Sequence, residues 1–243
     1  MPAHEWGTAP DFVGPRHELR EQLLLQLLLA AKPGRDVLNA GAGQGSFTRM
    51  LEERGFDVVS TDVSPAACQV LARRVRGAVV RADVTALPFA DASFDAVVLG
   101  EVIEHVDDDV SALREARRVL RPGGAVALSV PAHPGWFGPS DEWAGHARRY
   151  TREALTAACE AADLDVARCV GWGFPVSAAY HRWIYDERAP GLAEADGDSR
   201  SRRAALAVLK VALQLDRLFV GVERGALGYL LLARPRPWPG SRP

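Results

Sequence analysis

Between Val37 and Pro131, short apolar runs alternate with segments of helical spacing, and this alternation limits the fold more than any other feature. Five apolar runs predict strands: DVLNAG, DVVSTDV, AVVRADV, FDAVVLG and AVALSVP. Strands that are apolar throughout are typical of a parallel sheet covered by helices on both faces. The sequence therefore predicts an α/β fold in which right-handed crossovers connect the parallel strands.

The chain outside this region predicts further elements. A leucine-rich helix from Arg16 to Ala31 ends at Lys-Pro-Gly. The segment 132–150 is rich in Gly, Pro, Trp and His without periodicity, and long loops of this kind are usually functional. The remaining elements are a helix over 151–162, a strand over 166–171, a helical stretch over 176–188, a linker over 189–203, a helix over 204–220 and a strand over 228–236.

We interpret the domain organisation in three parts. Residues 1–35 form an N-terminal helical segment whose first part, around residues 4–12, could act as a lid. Residues 36–235 form the main domain, with a helical cap insertion at about 175–224. Residues 236–243 form a disordered, proline-rich tail.

The composition excludes several classes of function. The 243 residues are 48% hydrophobic and 25% charged with a net charge of -2, which is typical of a globular protein and gives no basic face for nucleic acid. The three cysteines lack the spacing of a disulfide framework or a zinc site, so no metal site is predicted. The sequence predicts no secretory signal and no membrane span, so we expect a cytoplasmic protein.

The stretch VLNAGAGQGS places glycines at 41, 43 and 45 directly after the first predicted strand. In an open α/β sheet this turn is the usual ligand position. A Walker A loop would need Lys and Ser or Thr after the last glycine, and a dinucleotide fingerprint would need a glycine at Ser46. Asp62 ends the second strand, where a carboxylate can bind both ribose hydroxyls, and Asp83 ends the third, so a nucleoside without polyphosphate fits best.

Five stretches together resemble the class I S-adenosylmethionine-dependent methyltransferases, in order and spacing: VLNAGAGQGS, STDVS, RADVTALPF, FDAVVLGEVIEHV and RVLRPGGAVALSVP. The resemblance implies a Rossmann-like sheet of seven strands whose last strand is antiparallel, with S-adenosyl-L-methionine as the cofactor. It also implies the cofactor-binding residues: Asn39, Gly41, Gly43, Gly45, Asp62, Val63, Asp83, Val84, Gly100 and Glu101. Position 39 is usually acidic in this family, so Asn39 implies a weaker contact with the cofactor ammonium.

The candidate catalytic residues lie in two places. His105 follows the fourth strand, where related methyltransferases often carry a histidine; a polar residue opening the next helix is the alternative interpretation. His146 and Tyr150 belong to the string GHARRYT, which is similar to one in some bacterial methyltransferases of this class. We expect His146 to act as general base and Tyr150 to position the acceptor, although both Arg149 and Tyr150 could instead anchor the loop.

We expect the acceptor to be a small, partly apolar molecule, such as a bacterial secondary metabolite, methylated on oxygen or nitrogen. Trp136, Phe137 and Trp143 could form its pocket or pin the loop to the core. The inserted helices could cap the acceptor site or pair two subunits as a homodimer. A peptide or lipid-like acceptor, a non-catalytic cofactor-binding regulator and a nicotinamide dehydrogenase are the alternatives, the last disfavoured by the missing third glycine.

Overall fold

A computed structural model describes residues 14–186 and 207–236 of the chain. The lid expected around residues 4–12, the linker expected over 189–203 and all but the first residue of the expected tail lie outside the described residues. The described part contains no helix that combines the length and the apolar character needed to cross a membrane.

The core of the structure is a seven-stranded sheet with the order β3-β2-β1-β4-β5-β7-β6. The strands are β1 Asp36–Ala40, β2 Asp57–Asp62, β3 Val79–Arg81, β4 Phe94–Gly100, β5 Leu120–Pro131, β6 Leu164–Trp172 and β7 Gly228–Pro235. Strands β1 to β5 pair in parallel, while β7 pairs antiparallel with both β5 and β6. The predicted α/β class and the antiparallel last strand are thus confirmed.

The described residues 14–186 contain seven α-helices. They are α1 Pro15–Ala30, α2 Ser46–Glu53, α3 Pro65–Ala72, α4 Asp109–Val119, α5 Pro139–Ala144, α6 Arg152–Ala161 and α7 Val176–Tyr180. Three of these helices begin at a residue whose side chain caps the helix. The side chains of Ser64, Asp108 and Thr151 accept hydrogen bonds from backbone N–H groups in the first turns of α3, α4 and α6, respectively. Single-turn 3₁₀ helices, Ile103–His105 and Pro134–Trp136, follow β4 and β5.

Two apolar layers cover the sheet. The leucines of α1 pack on one face with Val37, Ala96, Val98 and Ala127. Helices α4 and α6 pack on the other face against the alternate residues of the same strands, including Leu38, Val97, Leu99 and Leu128. The central strands are therefore apolar on both sides, as a doubly covered parallel sheet requires.

The structure differs from the sequence predictions at two places. Strand β5 begins at Leu120 rather than near Ala125, because Leu120 already pairs with Phe94 of β4. The register shifts before Ala96 pairs with Ala125, and Gly123, with φ of 81°, lies in this irregular stretch. The segment 132–150 was expected to be a loop, but it contains α5 and a 3₁₀ turn. Prolines at the first positions of these two elements begin them, and Gly145 with φ of 75° ends α5.

The described part of the helical insertion has two different sides. Residues 207–212 are helical and continue into the 3₁₀ helix Leu213–Phe219. Leu213 is fully buried, whereas Val208, Val211, Leu215 and Leu218 are exposed at helical spacing. Homodimer formation through this exposed apolar side stays a prediction.

A buried carboxylate attaches the insertion to α7. Asp216, which is inaccessible to solvent, accepts hydrogen bonds from the backbone N–H groups of Val176 and Ser177 at 2.7 and 2.9 Å. The Ser177 hydroxyl donates to the same carboxylate at 2.6 Å. Asp216 thus satisfies two donors at the start of α7 that no earlier helical turn could satisfy.

We expect the substitution Asp216→Ala to lower the free energy of unfolding by about 2–4 kcal/mol, since it leaves buried donors without an acceptor. Urea denaturation followed by circular dichroism measures this change. The exposed Gln214→Ala in the same 3₁₀ helix is the control and should stay within about 0.5 kcal/mol of the wild type. A loss as small as the control's in the Asp216 variant would contradict this role.

Candidate functional site

A cavity of about 1040 Å³ opens at the carboxyl ends of β1, β2 and β4. Its walls come from the glycine loop, the ends of these strands, helix α1, the segment 132–150 and α7. Nine of the predicted cofactor residues line it: Asn39, Gly41, Gly43, Asp62, Val63, Asp83, Val84, Gly100 and Glu101. The motifs found along the sequence therefore meet in one space.

The glycine loop follows β1 with an unusual backbone. Gly41 and Gly43 have φ of 72° and 54°, a region that favours glycine, and both line the cavity. Gly45, with φ of 90°, is absent from the cavity wall and caps α2 instead. A Cβ at Gly45 would lie 2.6 Å from Leu71 Cδ1, so this glycine permits close packing of α3 rather than wrapping the ligand as expected.

Asp62 lies at the end of β2, and two backbone N–H groups fix the orientation of its carboxylate. One oxygen accepts from the backbone N–H of Gly43 and the other from that of Ser64, both at 2.9 Å. Each carboxylate oxygen has two lone pairs, so acceptor capacity for two ribose hydroxyls is left. Asp83 is fixed in a similar way by the backbone N–H and hydroxyl of Thr85.

Asn39 is buried at the end of β1 and is oriented by a polar chain beneath it. Its Nδ2 donates to Thr48 Oγ1 at 2.9 Å, and this hydroxyl contacts Ser60 Oγ at 2.9 Å. Because Nδ2 is engaged there, Oδ1 is the atom that can accept from an ammonium group in the cavity. The neutral amide thus has the orientation that the resemblance requires, without the charge.

The pKa values of two glutamates after β4 are shifted in opposite directions. Burial raises the pKa of Glu101, but Arg20, 3.5 Å away, outweighs burial and holds this pKa below its usual value. Burial, reinforced by the charge of Glu101, raises the pKa of Glu104 well above its usual value. A negative charge at Glu101 therefore faces the cavity, where a sulfonium would be attracted.

The predicted histidines His105 and His146 lie together in the cavity wall, with ring centroids 4.7 Å apart. The Nδ1–H of His146 donates to Asp141 Oδ1 at 2.7 Å, and the Nδ1–H of His105 donates to the carbonyl of Gly145 at 3.2 Å. Burial is the main reason that the pKa of His105 falls to about 4. In the neutral form of each ring, these hydrogen bonds place the proton on Nδ1 and the lone pair on Nε2.

Three other predicted residues lie elsewhere. Tyr150 is buried outside the cavity wall, and its hydroxyl donates to Asp109 Oδ2 at 2.7 Å, so it cannot position the acceptor as expected. Burial, followed by this carboxylate, raises the pKa of Tyr150. Trp136 and Phe137 also lie outside the cavity wall, whereas Trp143 lines it.

The sequence reasoning missed a second group of cavity residues. Trp172, Tyr180, His181 and Tyr185 come from the end of β6 and from the helical turns that follow it. His181 lies between two guanidinium groups, at 3.0 Å from Arg16 and 2.9 Å from Arg149. No sequence motif marks these positions, because they come from different elements that meet only in the fold.

The comparisons with known proteins agree with this geometry. A family model described as "Methyltransferase domain" matches residues 38–128. An uncharacterized methyltransferase of Mycobacterium sp. strain KMS is 35% identical over 66% of this chain and 72% of its own. The chain belongs to the class I S-adenosylmethionine-dependent methyltransferases.

Two further comparisons give the range of the family. A demethylmenaquinone methyltransferase of Beutenbergia cavernae is 41% identical over 44% of this chain and 45% of its own length. The chain spans about half the length of the demethylmenaquinone methyltransferases it matches, 45% and 58% in two of them. The solved phosphoethanolamine N-methyltransferase 2 of Haemonchus contortus, in complex with S-adenosyl-L-methionine, shares the fold, with a TM-score of 0.65, 19% identity and coverage of 96% of this chain and 56% of that one.

For the cofactor half of the site, we expect Asp62→Ala to weaken binding of S-adenosylhomocysteine by about 10- to 100-fold, because charge-assisted hydrogen bonds to the ribose are lost. Isothermal titration calorimetry measures the dissociation constant. Asp57→Ala, at the exposed opposite end of β2, is the matched control. An unchanged constant in the Asp62 variant would remove the ribose role from this residue.

His181 leads to a prediction about pH. Burial, with Arg16 and Arg149 next in effect, lowers the pKa of His181 to about 3, and Asp186 and Asp141 oppose this only partly. Since the unfolded chain binds this proton near pH 6.5, the stability contributed by neutral His181 is complete above pH 6.5 and is lost as the pH falls toward 3.

Between pH 6 and pH 4.5, the free energy of unfolding should therefore fall faster for the wild type than for His181→Asn, by up to about 1.4 kcal/mol per pH unit. Denaturant titrations of both proteins at several pH values in this range give the free energies of unfolding. In the difference between the two proteins, the contributions of the other titrating groups cancel. Parallel pH profiles would show that His181 is not kept neutral.

Proposed function

We propose that the protein transfers the methyl group of S-adenosyl-L-methionine to an oxygen or nitrogen of a small, partly apolar molecule, as a step in making a secondary metabolite. The observation that supports this most is that residues from two sides of the sheet line one cavity. The glycine loop and Asp62 follow β1 and β2, whereas the aromatic half is formed by residues from the end of β6 and from helices after β5 and β6: Trp143, Trp172, Tyr180 and Tyr185. A largely apolar wall with a few polar groups is typical of a small-molecule site.

The aromatic half is the proposed acceptor site. Helix α7 and its following turn form one side, and α5 forms the other. Leu209 of the insertion also lines the cavity, which supports a cap role for that segment. Because methyl transfer is an in-line displacement, holding the acceptor beside the methyl group can supply much of the acceleration, about 7–11 kcal/mol in favourable cases.

We propose that His146 is the main catalytic residue and that His105, whose ring lies beside it, is a second one. The hydrogen bond from His146 Nδ1 to Asp141 fixes the ring, so that Nε2 is available to activate the acceptor. Asp141 stays ionised in this arrangement: burial raises its pKa, but His146 and Arg149 outweigh burial and hold the pKa below its usual value. Tyr150 is not part of this proposal.

We expect His146→Asn to lower single-turnover methyl transfer by at least about 100-fold, the effect typical of losing such a group. Its affinity for S-adenosylhomocysteine should stay within about threefold of the wild type. The assay uses methyl-labelled S-adenosyl-L-methionine with fractionated bacterial extracts as the acceptor source. His133→Asn is the matched control, since His133 belongs to the same loop but lies outside the cavity wall.

The same assay tests the competing functions. Label in a lipid fraction would favour a lipid-like acceptor, which the similarity to demethylmenaquinone methyltransferases supports. Label in a peptide would favour a peptide acceptor. No label in any fraction, together with tight cofactor binding, would favour a cofactor-binding regulator and would contradict the proposed function.

A further inference from the structure

A group of metal-ligand side chains lies at the cavity wall, where His105 and His146 line the cavity and the neighbouring Glu104 is fully buried. One ligand atom from each of Glu104, His105 and His146 lies within 4.8 Å of the other two. His146 Nε2 and Glu104 Oε1 are 4.0 Å apart. The 3₁₀ turn after β4 supplies two of these residues and the segment after β5 supplies the third, so the group exists only in the fold.

The two histidines are held as metal-binding histidines usually are. Such a histidine donates one ring N–H to a carboxylate or a backbone carbonyl, which leaves the other nitrogen to bind the metal. His146 donates to Asp141 at 2.7 Å, and His105 donates to the carbonyl of Gly145 at 3.2 Å. Both Nε2 atoms thus have the tautomer that a cation requires.

Glu104 gives an independent indication. The side chain is completely buried, and neither of its carboxylate oxygens has a hydrogen-bond partner among the described residues. A buried carboxylate without a partner is costly, and a bound cation is one of the few ways to stabilise it. Oε1 of Glu101, three residues earlier, also lacks a hydrogen-bond partner in the described part of the chain, so two neighbouring buried carboxyl groups have oxygens that a cation could satisfy.

We propose that Glu104, His105 and His146 bind a divalent transition-metal cation at the edge of the acceptor site, held by the buried Glu104 from behind and by the two histidines of the cavity wall. One carboxylate and two imidazoles are donors that suit Zn²⁺ and its first-row neighbours better than Mg²⁺. Ligand atoms around a four-coordinate Zn²⁺ lie about 3.3 Å apart, so the three side chains need to close by at most roughly 1.5 Å. Rotations about the side-chain bonds can supply this movement.

This inference rests on the proposed function and narrows it to acceptors with a hydroxyl group. Three protein ligands leave at least one position for an acceptor oxygen, whose pKa a cation lowers. The hydroxyl proton then leaves to solvent, the oxygen lone pair forms the new C–O bond, and the pair of the broken C–S bond returns to sulfur. His146 acts in this scheme as a metal ligand, and its activating role passes through the cation.

The test measures metal binding without any acceptor. The whole 243-residue chain is treated with a chelator to remove bound metal. Binding of Zn²⁺, Mn²⁺ and Mg²⁺ is then measured by calorimetry and, after dialysis, by elemental analysis. The wild type should bind one equivalent of Zn²⁺, and Mg²⁺ more weakly. Glu104→Gln has nearly the same shape without the charge, and it should bind Zn²⁺ at least tenfold more weakly while still binding S-adenosylhomocysteine.

His133→Asn is the matched control and should bind Zn²⁺ as the wild type does. His105→Asn serves as the second variant should Glu104→Gln fail to fold. The proposal would be overturned if the wild type bound less than a tenth of an equivalent of Zn²⁺, or if the wild type and the variants bound Zn²⁺ equally.

Failure of this proposal can be told apart from failure of the proposed function. Methyl transfer that persists after the metal has been removed would leave the proposed function intact and would contradict the proposed role of the cation. Stoichiometric Zn²⁺ that depends on Glu104, without methyl transfer to any acceptor, would support the cation and contradict the proposed function.

Discussion

Strands β1 and β4 lie side by side, but the chain leaves them in opposite directions, and the cavity exists because of this divergence. The sheet order places β2 and β3 on one side of this pair and β5 on the other. The connections that follow β1 and β4 therefore separate at the carboxyl edge of the sheet and open a crevice between them. Asn39 pairs in register with Val98, so the glycine loop and Gly100 face each other across the crevice.

Polar and ionic contacts join the walls above this crevice. Arg20 of α1 reaches Glu101 after β4, and Arg149 forms a buried ion pair with Asp141. His181, between Arg16 and Arg149, connects α1 to the segment after β5 through the turn that follows α7. Asp141 also binds His146, so the orientation of the proposed catalytic ring depends on contacts that begin in the first helix. Breaking a buried pair of this kind leaves an uncompensated charge, so these contacts stabilise the packing of α1, the segment after β5 and the turn after α7 against one another.

The sequence predicted the glycine-loop side of the cavity far better than its aromatic side. Gly41, Gly43 and Asp62 follow strands directly, and the ends of parallel strands must meet at one edge, so their positions along the chain determine their positions in space. Gly45 shows the limit of that argument: spacing groups it with the other two glycines, but only the packing of Leu71 reveals a structural role. Trp172, Tyr180, His181 and Tyr185 could not be predicted, because their positions depend on how the insertion folds back onto the sheet.

The same difference explains why residue spacing gave no indication of the proposed cation site. A motif search detects ligands that share one short stretch, and the cysteines of this chain form no such set. Glu104 and His105 are adjacent, yet adjacency alone does not define a site. The 3₁₀ turn after β4 buries the glutamate and turns the histidine toward the cavity, and α5, ending at Gly145, brings the backbone of His146 to Asp141. The carbonyl of Gly145 then orients His105, so the short helix in an apparently irregular segment fixes both imidazoles at once.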